Sequence, residues 1–458
     1  MIEKEIILKY NQPGPRYTSY PPANYFDNTY GVQDFEENIV ESNIMGPSHL
    51  SLYFHVPYCP RLCHFCGCNT SLLKSKDRIA DYFSALRKEI DKVASLIDTS
   101  RLITQIHWGG GTPNSVPLQF IEGVMEQVKA RFRFHPDAEI AMECSPAYLT
   151  FDDIDLLADM GFNRMSLGIQ DFNEEVLLAV NRKPSRYPVE ELIRELRSAG
   201  FSGINLDLIY GLPLQTPANF ALTVRKAIDA KPDRLVTFSY AHVPWVNKNQ
   251  VILEKKGLPS PEDKLDMFLI ARRMLVQDGY APIGLDHYAR EDDELTVALR
   301  NRHLHRNFQG YCTKDRTGQV YAFGSSSISQ LFNSYAQNIK TPDMYIDVIQ
   351  QKGFATERGY RLSFKELVTR EVINEVMCNG YVDFSQIAKH FAIRKTEVLD
   401  YVKFDPGKFT LFIDDGLIEI LPEGLKVNRL GMMVVRNIAM NLDPLAAGKS
   451  EKKFSKTI

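Results

Sequence analysis

The 458-residue sequence has no uninterrupted apolar stretch of the roughly 18 residues that a membrane-spanning helix needs. Its first residues, MIEKEIILKYNQPG, hold only three consecutive apolar residues between charges, too few for the core of a secretory signal. A cytoplasmic protein without a membrane partner is the expectation. Excess charge of either sign is also missing. With 54 Lys and Arg against 57 Asp and Glu, the net charge of -3 suggests neither a nucleic-acid surface nor an acidic tail. Cysteine is scarce and odd in number at seven, and Cys144, Cys312 and Cys378 are scattered, which argues against a disulfide framework. No internal repeat or low-complexity segment occurs. The hydrophobic share of 44% and charged share of 24% are those of an ordinary globular protein. The length exceeds that of a single growing core, so one large domain with appendages, or two or three domains, is expected.

What is present begins with a rhythm. From residue 50 to about 240, short apolar runs alternate with longer amphipathic stretches: SLYFHV (51-56), ITQIHW (103-108), EIAMEC (139-144), RMSLGI (164-169), INLDLI (204-209) and LVTFSY (235-240). Six strands joined by helices imply a parallel sheet. Polar or glycine-rich residues gather at or near the carboxyl end of all six. A doubly wound sheet would concentrate its site at one switch point, so the pattern favours an α/β fold of the partial (βα)6 TIM-like barrel type. The expected organisation is an N-terminal arm or lid (1-46), the partial barrel (47-250), an extension completing the active site (251-360) and a small helical, winged C-terminal domain (361-458). Within the arm, KYNQPGPRYTSYPPANYF reads as extended. In the last region SFKELVTREVINEVM and DFSQIAKHFAI read as helices, and DDGLIEILPEGLKVNRLG as a hairpin leading into the helix MMVVRNIAMNL.

Four of the seven cysteines lie within CPRLCHFCGC (59-68), spaced C-x3-C-x2-C-x-C. Structural zinc sites pair two knuckles across a longer loop, and no second knuckle or spaced His pair follows. A redox pair would use two thiols and leave two unexplained. An iron-sulfur cluster takes its thiolates from one short loop. If three cysteines cap three irons, the fourth position is either closed by another residue or open to a ligand. Cys68 stands close enough in sequence to be weighed as that fourth ligand. His64 reads as a loop residue facing solvent.

Other motifs surround this loop in the strand order. HWGGGTPN (107-114) brings backbone N-H groups close to whatever lies beside it, or simply makes a tight turn. Glu143 and Asp207 are carboxylates set in apolar strands, where burial demands a partner, be it a ligand or a structural ion pair. Gln170 and Arg182 add an amide and a cation suited to a ligand carboxylate.

The C-x3-C-x2-C loop after the first strand resembles that of the radical S-adenosylmethionine (SAM) superfamily. Together with PRYTSYPPA (15-23), YFHVPYCPRLCHFCGC (53-68), HWGGGTP (107-113), SLGIQDF (166-172), LDLIYGLPLQT (206-216), HRNFQGYCT (305-313) and YAQN (335-338), the chain is similar to the oxygen-independent coproporphyrinogen III oxidase (dehydrogenase) family of anaerobic haem biosynthesis. The resemblance implies that Cys59, Cys63 and Cys66 ligate a 4Fe-4S cluster. It assigns Tyr53, Phe65, Gly110 and Glu143 to the SAM on that cluster, and Gly111, Thr112, Gln170, Arg182, Asp207, Ala241 and Ile328 to a second SAM. His55, Cys68, Phe308 and Gln309 match positions needed for activity without being cluster ligands. For Phe308 core packing, and for His55 an ordinary strand hydrogen bond, are the plainer readings.

The implied reaction converts two propionates of coproporphyrinogen III to vinyl groups through a 5'-deoxyadenosyl radical. It needs a tetrapyrrole substrate, an unidentified reductant and an electron acceptor, and a monomer is the expected state. A lid around Arg16, Tyr17 and Tyr20, with Arg16 on a substrate carboxylate, is weighed against an arm packed on the barrel bottom. Rival functions are a haem-trafficking chaperone, a haem-degrading radical SAM methyltransferase and, from the winged region, a nucleic-acid binder. Two departures from the family pattern are Cys144 beside Glu143, read as a buried small hydrophobe, and Glu291 in HYARED, where Pro is expected.

Overall fold

The apolar runs form strands because both of their faces are covered. The computed structural model describes residues 2-245 and 247-446, so residues 447-458 of the expected C-terminal domain lie outside it. The six expected strands are β1 (Leu50–Val56), β2 (Leu102–Gly110), β3 (Arg133–Cys144), β4 (Arg164–Gln170), β5 (Gly203–Tyr210) and β6 (Arg234–Ser239). In β1, Leu50, Leu52, Phe54 and Val56 are wholly buried. The first crossover helix (Lys76–Ala94) shows why such segments pack. Ser75 caps it by accepting from the Arg78 N-H, and Ile79, Phe83, Leu86, Ile90 and Val93 repeat at three and four residues on its buried face. Truncating Leu86 to alanine would cost about 2–5 kcal/mol.

The sheet is larger than the six strands. It continues through β7 (Tyr280–Gly284) and β8 (His287–Arg290) on one side, and through β11 (Gln319–Phe323), β12 (Ile328–Gln330), β13 (Ser334–Asn338) and β14 (Thr356–Arg361) on the other. A separate ribbon, β9 (Leu304–Asn307) with β10 (Gly310–Thr313), lies between them in sequence. The order is β14-β13-β12-β11-β1-β2-β3-β4-β5-β6-β8-β7. From β11 to β6 every pair is parallel, and antiparallel strands extend both flanks. The six strands therefore do not close on one another: β1 pairs with β11 and β6 with β8. The sheet nevertheless curls. Cys59, just after β1, and Ser239, at the end of β6, line a single cavity of about 460 Å³, whereas a flat sheet would hold strands five places apart about 24 Å from each other.

The C-terminal unit has its own core. It combines helix Phe364–Asn379 with the small antiparallel sheet of β15 (Tyr381–Asp383), β16 (Ile418–Ile420) and β17 (Gly424–Val427) and the helix Val435–Met440, matching the hairpin and helices read from the sequence. Gly424 is obligatory there, since a Cβ would fall 1.8 Å from the Val382 carbonyl oxygen.

The arm is not extended throughout. The stretch from Asn11 to Pro22 is free of helix, but α1 (Ile2–Tyr10) and α2 (Val32–Ser42) flank it. Ile6, Tyr10, Tyr17 and Tyr20 belong to the C-terminal core. The Tyr17 hydroxyl donates to Asp443 at 2.9 Å, and Arg436 donates to the carbonyls of Gly14 and Pro15. Glu291 pairs with Arg300 at the surface, so its departure from the expected proline touches no site residue.

Candidate active site

The cysteine loop leaves the carboxyl end of β1 and is strapped from two sides. On one, the His64 N-H donates to the Val180 carbonyl at 3.0 Å and Asn181 Nδ2 to the Leu62 carbonyl at 2.8 Å. On the other, Asn247 Nδ2 reaches the Cys66 carbonyl at 2.7 Å and Gln250 Nε2 the Phe65 carbonyl at 3.3 Å. His64 is half-buried rather than solvent-facing, because this strapping packs the loop against residue 180. Thr112 Oγ1 donates to Cys59 Sγ at 3.3 Å, and Arg182 Nη1 approaches Cys63 Sγ at 3.7 Å. Cys59, Cys63, Cys66 and Cys68 all open into the 460 Å³ cavity. Among the described residues no three His, Cys, Asp or Glu side chains converge on one point as a single metal ion would require.

Glu143, on β3, is held from two directions. His107 Nε2 donates to its Oε1 at 3.0 Å and the Gly110 N-H to its Oε2 at 3.3 Å. Burial opposes ionisation of both side chains, but their mutual attraction prevails. The carboxyl is held below its ordinary value and the imidazole above its own. The glycines are dictated by this packing. A Cβ on Gly110, whose φ is +109°, would lie 2.5 Å from the His55 ring, and one on Gly111 would lie 2.6 Å from the Tyr58 carbonyl oxygen.

The Tyr53 ring stacks on His107 at 5.9 Å, and its hydroxyl meets His55 Nδ1 at 3.2 Å. His55 Nε2 faces the Asn69 carbonyl at 3.0 Å, which can only accept; this places the ring proton on Nε2 and leaves Nδ1 to accept from Tyr53. Burial keeps His55 neutral by pushing its pKa down.

Further along the strands, Gln170 ends β4 at φ +70°, a left-handed conformation uncommon for its side chain, and its buried Oε1 has no hydrogen-bond partner among the described residues. Arg182 Nη2 donates to the Gly168 carbonyl. Asp207 accepts from Ser166 Oγ at 2.9 Å and Asn205 Nδ2 at 2.8 Å, yet burial raises its pKa to about 6.

Two cavities share this region. The first, about 710 Å³, is lined by Tyr53, His55, Phe308, Gln309 and Ile328; the second is the 460 Å³ cavity, lined by Phe65, Gly111, Thr112, Gln170, Arg182, Asp207 and Ala241. Cys63, Cys66, Cys68, Gly110 and Glu143 border both. Every expected site residue thus falls on one cavity or the other. The grouping differs in two places: Ile328 stands with the first set and Phe65 with the second. Cys68 is exposed, but into the cavities rather than to the outer surface. Phe308 both lines the cavity and packs edge-on against Tyr335 at 5.6 Å, and Gln309 Nε2 donates to the Leu52 carbonyl at 3.0 Å.

Sequence reasoning missed His107, whose only signal was a histidine in an apolar strand, and Glu89. Glu89 is 1% exposed and accepts from Asn338 Nδ2, the Gly324 N-H and Tyr345. It anchors the turn that carries Ser326 and Ile328 to the site.

Residues 53–227 match the family model of the radical SAM superfamily. The oxygen-independent coproporphyrinogen III oxidase of Escherichia coli (strain K12) is 40% identical over 99% of this chain and 98% of its own length. That of Synechocystis sp. is 39% identical over 99% and 97%. The solved structure of the Escherichia coli coproporphyrinogen III oxidase, described as a radical SAM enzyme, superposes with a TM-score of 0.89 at 38% identity, covering 96% of this chain and 98% of that one. The chain belongs to the oxygen-independent coproporphyrinogen III oxidase family.

Membership in a radical SAM family carries a 4Fe-4S cluster and SAM as cofactors. The residues present fit them. Four thiols open on one cavity, a cation stands beside Cys63, and an ionised carboxylate and an amide oxygen without a partner among the described residues face the space around the loop. No helix among the described residues is long and apolar enough to cross a membrane.

Proposed function

We propose that the chain oxidatively decarboxylates two propionates of coproporphyrinogen III to vinyl groups, giving protoporphyrinogen IX in anaerobic haem formation. The observation that carries this reading is the meeting of two cavities at the cysteine loop and Glu143, in a chain whose full-length relatives bear the oxidase name. In the net change each propionate loses carbon dioxide, one hydrogen atom from its β-carbon and one electron. When bound, the cluster and SAM supply one-electron hydrogen abstraction from an unactivated C-H bond, which no side chain can perform.

The chain's own residues bind and orient. His107 keeps Glu143 ionised, ready to accept from an ammonium group, and the bare glycines let backbone N-H groups approach. Tyr53, Phe65, Gly110 and Glu143 would hold the SAM on the cluster. Gly111, Thr112, Gln170, Arg182, Asp207, Ala241 and Ile328 would hold the second. In the first cavity Phe308 excludes water, while neutral His55 offers a fixed tautomer and Gln309 an amide oxygen. The test is anaerobic reconstitution with reductant, SAM and coproporphyrinogen III. Protoporphyrinogen together with 5'-deoxyadenosine is the expected result. Methylated product, or stoichiometric haem binding without turnover, would reassign the protein.

A further inference from the structure

Two buried polar side chains on the first crossover helix are not explained by packing. Tyr82 and Glu89 lie seven residues apart, and so on one face of Lys76–Ala94, among the apolar Ile79, Phe83, Leu86, Ile90 and Val93. Tyr82 is wholly buried and Glu89 nearly so. Both meet the connection between β11 and β12, residues 324-327. The Tyr82 hydroxyl accepts from the Ser325 N-H at 2.9 Å and donates to the His55 carbonyl at 2.8 Å. Glu89 accepts from the Gly324 N-H at 2.9 Å, and from Asn338 Nδ2 and the Tyr345 hydroxyl, each at 2.6 Å. These three partners are uncharged. Burial pushes the Glu89 carboxyl up to about 7, while the donors of Tyr345, Gly324 and Asn338 favour its ionised form.

The connection has a shape that needs holding. Gly324 has φ +96° and Ser326 φ +61°, left-handed conformations of which the second is uncommon for a residue with a side chain. A Cβ on Gly324 would fall 2.5 Å from the Tyr82 hydroxyl oxygen, so the turn is pressed against the helix. What the connection carries belongs to the site. Ser326, Ser327 and Ile328 line the 710 Å³ cavity, and Ser326 Oγ stands 3.5 Å from His55 Nε2. Through Tyr82 the same helix also fixes the backbone of His55.

A side chain that only packed would be apolar, as Leu86 and Ile90 are on either side of Glu89. Burying a carboxylate is costly, and here its hydrogen bonds go to the turn and to the residues that hold the turn in place. We infer that Glu89 and Tyr82 are positioning residues for the reaction: they hold residues 324-327 so that Ile328 and the His55 ring keep a fixed place in the cavity beside the cysteine loop. This rests on the reaction proposed above and deepens it. A turn released from the helix would leave the fold standing and blur the wall against which the reacting groups are aligned.

The test compares three variants of the anaerobically reconstituted full chain. Glu89→Gln keeps the shape but sets an amide donor against Asn338 Nδ2, and Tyr82→Phe keeps the ring on Tyr345 at 5.3 Å, so both should fold. Leu86→Ala, on the same helix, is the control for stability alone. Two quantities are read well below each unfolding temperature: backbone hydrogen exchange over residues 324-328 without reductant, and vinyl groups formed per 5'-deoxyadenosine with reductant, SAM and coproporphyrinogen III. Glu89→Gln and Tyr82→Phe should each speed the local exchange about tenfold and lower the ratio several-fold, because SAM is then cleaved without a matching vinyl group. Leu86→Ala should lower the melting temperature and leave both quantities near wild type. If Glu89→Gln and Tyr82→Phe behave like Leu86→Ala, or speed exchange with the ratio unchanged, the positioning role is overturned. A wild-type chain that forms no protoporphyrinogen would sink the reaction instead, and the hold on the turn would then be judged by exchange alone, with rates unchanged in both variants overturning it.

Discussion

The two ends of the parallel strands are built from the same chain segments and behave in opposite ways. At the amino ends Arg164 meets Glu139 at 2.7 Å and Glu294 at 3.3 Å, Arg234 meets Asp293 at 2.9 Å and Glu294 at 3.0 Å, and Arg316 closes on Glu294 at 3.2 Å. Each carboxylate there has a guanidinium. At the carboxyl ends four thiols, the Gln170 amide and Asp207 surround open space. Strand β3 carries both cases four residues apart, with Glu139 and Glu143 on one face by the two-residue alternation of a strand. Glu139 is answered by the protein's own arginines, and Glu143 by a histidine and a backbone N-H that leave part of it accessible. One end is finished by folding, and the other is finished by what binds.

The largest effect should come from the open end and leave stability alone. Cys63→Ser should abolish product and the cluster's visible absorbance with thermal unfolding nearly unchanged. Cys68→Ser should lose product but keep the absorbance. A large fall in melting temperature for Cys63→Ser would show that the loop is structural, and loss of the cluster in Cys68→Ser would make that residue a ligand.

The closed end should give the reverse. Arg234→Met leaves Asp293 and Glu294 without one of their guanidinium partners in a buried setting, which costs about 3–5 kcal/mol. Denaturant midpoints should fall accordingly, while kcat per folded molecule stays near wild type. Equal losses of activity and stability would mean that the two ends are not separable.

These two ends were unequally legible in the sequence. The cysteine loop and the glycine run announce themselves because their geometry is local, a few residues apart. The six strands were legible because a buried parallel strand must be continuously apolar. His107 was not, since its meaning depends on Glu143, 36 residues away on the next strand. The placement of Ile328 with Tyr53 and of Phe65 with Gln170 depends on how the sheet curls, which no periodicity records. Glu89 looked like one more charged helix residue until the turn at Gly324 was folded onto it. The arginine network is invisible for the same reason, because Arg234 and Asp293 meet only after β8 has returned beside β6.

The smallest effect is the sharpest test of the comparison, because its sign differs between the ends. Asp207 has a folded pKa of about 6 against an ordinary 3.8, mainly from burial. Below pH 3.8 it is protonated whether folded or not and costs nothing. Between 3.8 and 6 the unfolded chain gives up its proton first, so stability declines as pH rises, and above 6 the full cost of an ionised buried carboxylate is present, at most about 2–3 kcal/mol. Asp207→Asn is isosteric, and its amide can accept from Asn205 and donate to Ser166 Oγ, replacing both bonds. Without cofactor the variant should be more stable than wild type at pH 7 and flatter between pH 4 and 6, and its SAM affinity should fall if Asp207 serves the proposed second site. Glu139 runs the other way. Burial raises its pKa, but Arg164 and Arg234 outweigh burial and hold it below 4.5, so it contributes stability above that pH and loses it as the medium is acidified. Glu139→Gln should therefore destabilise at pH 7, and the penalty should shrink in acid. Melting curves of both variants from pH 3.5 to 7.5 measure the two signs directly; if both shift the same way, the open end is not held in readiness for a ligand at the expense of the fold.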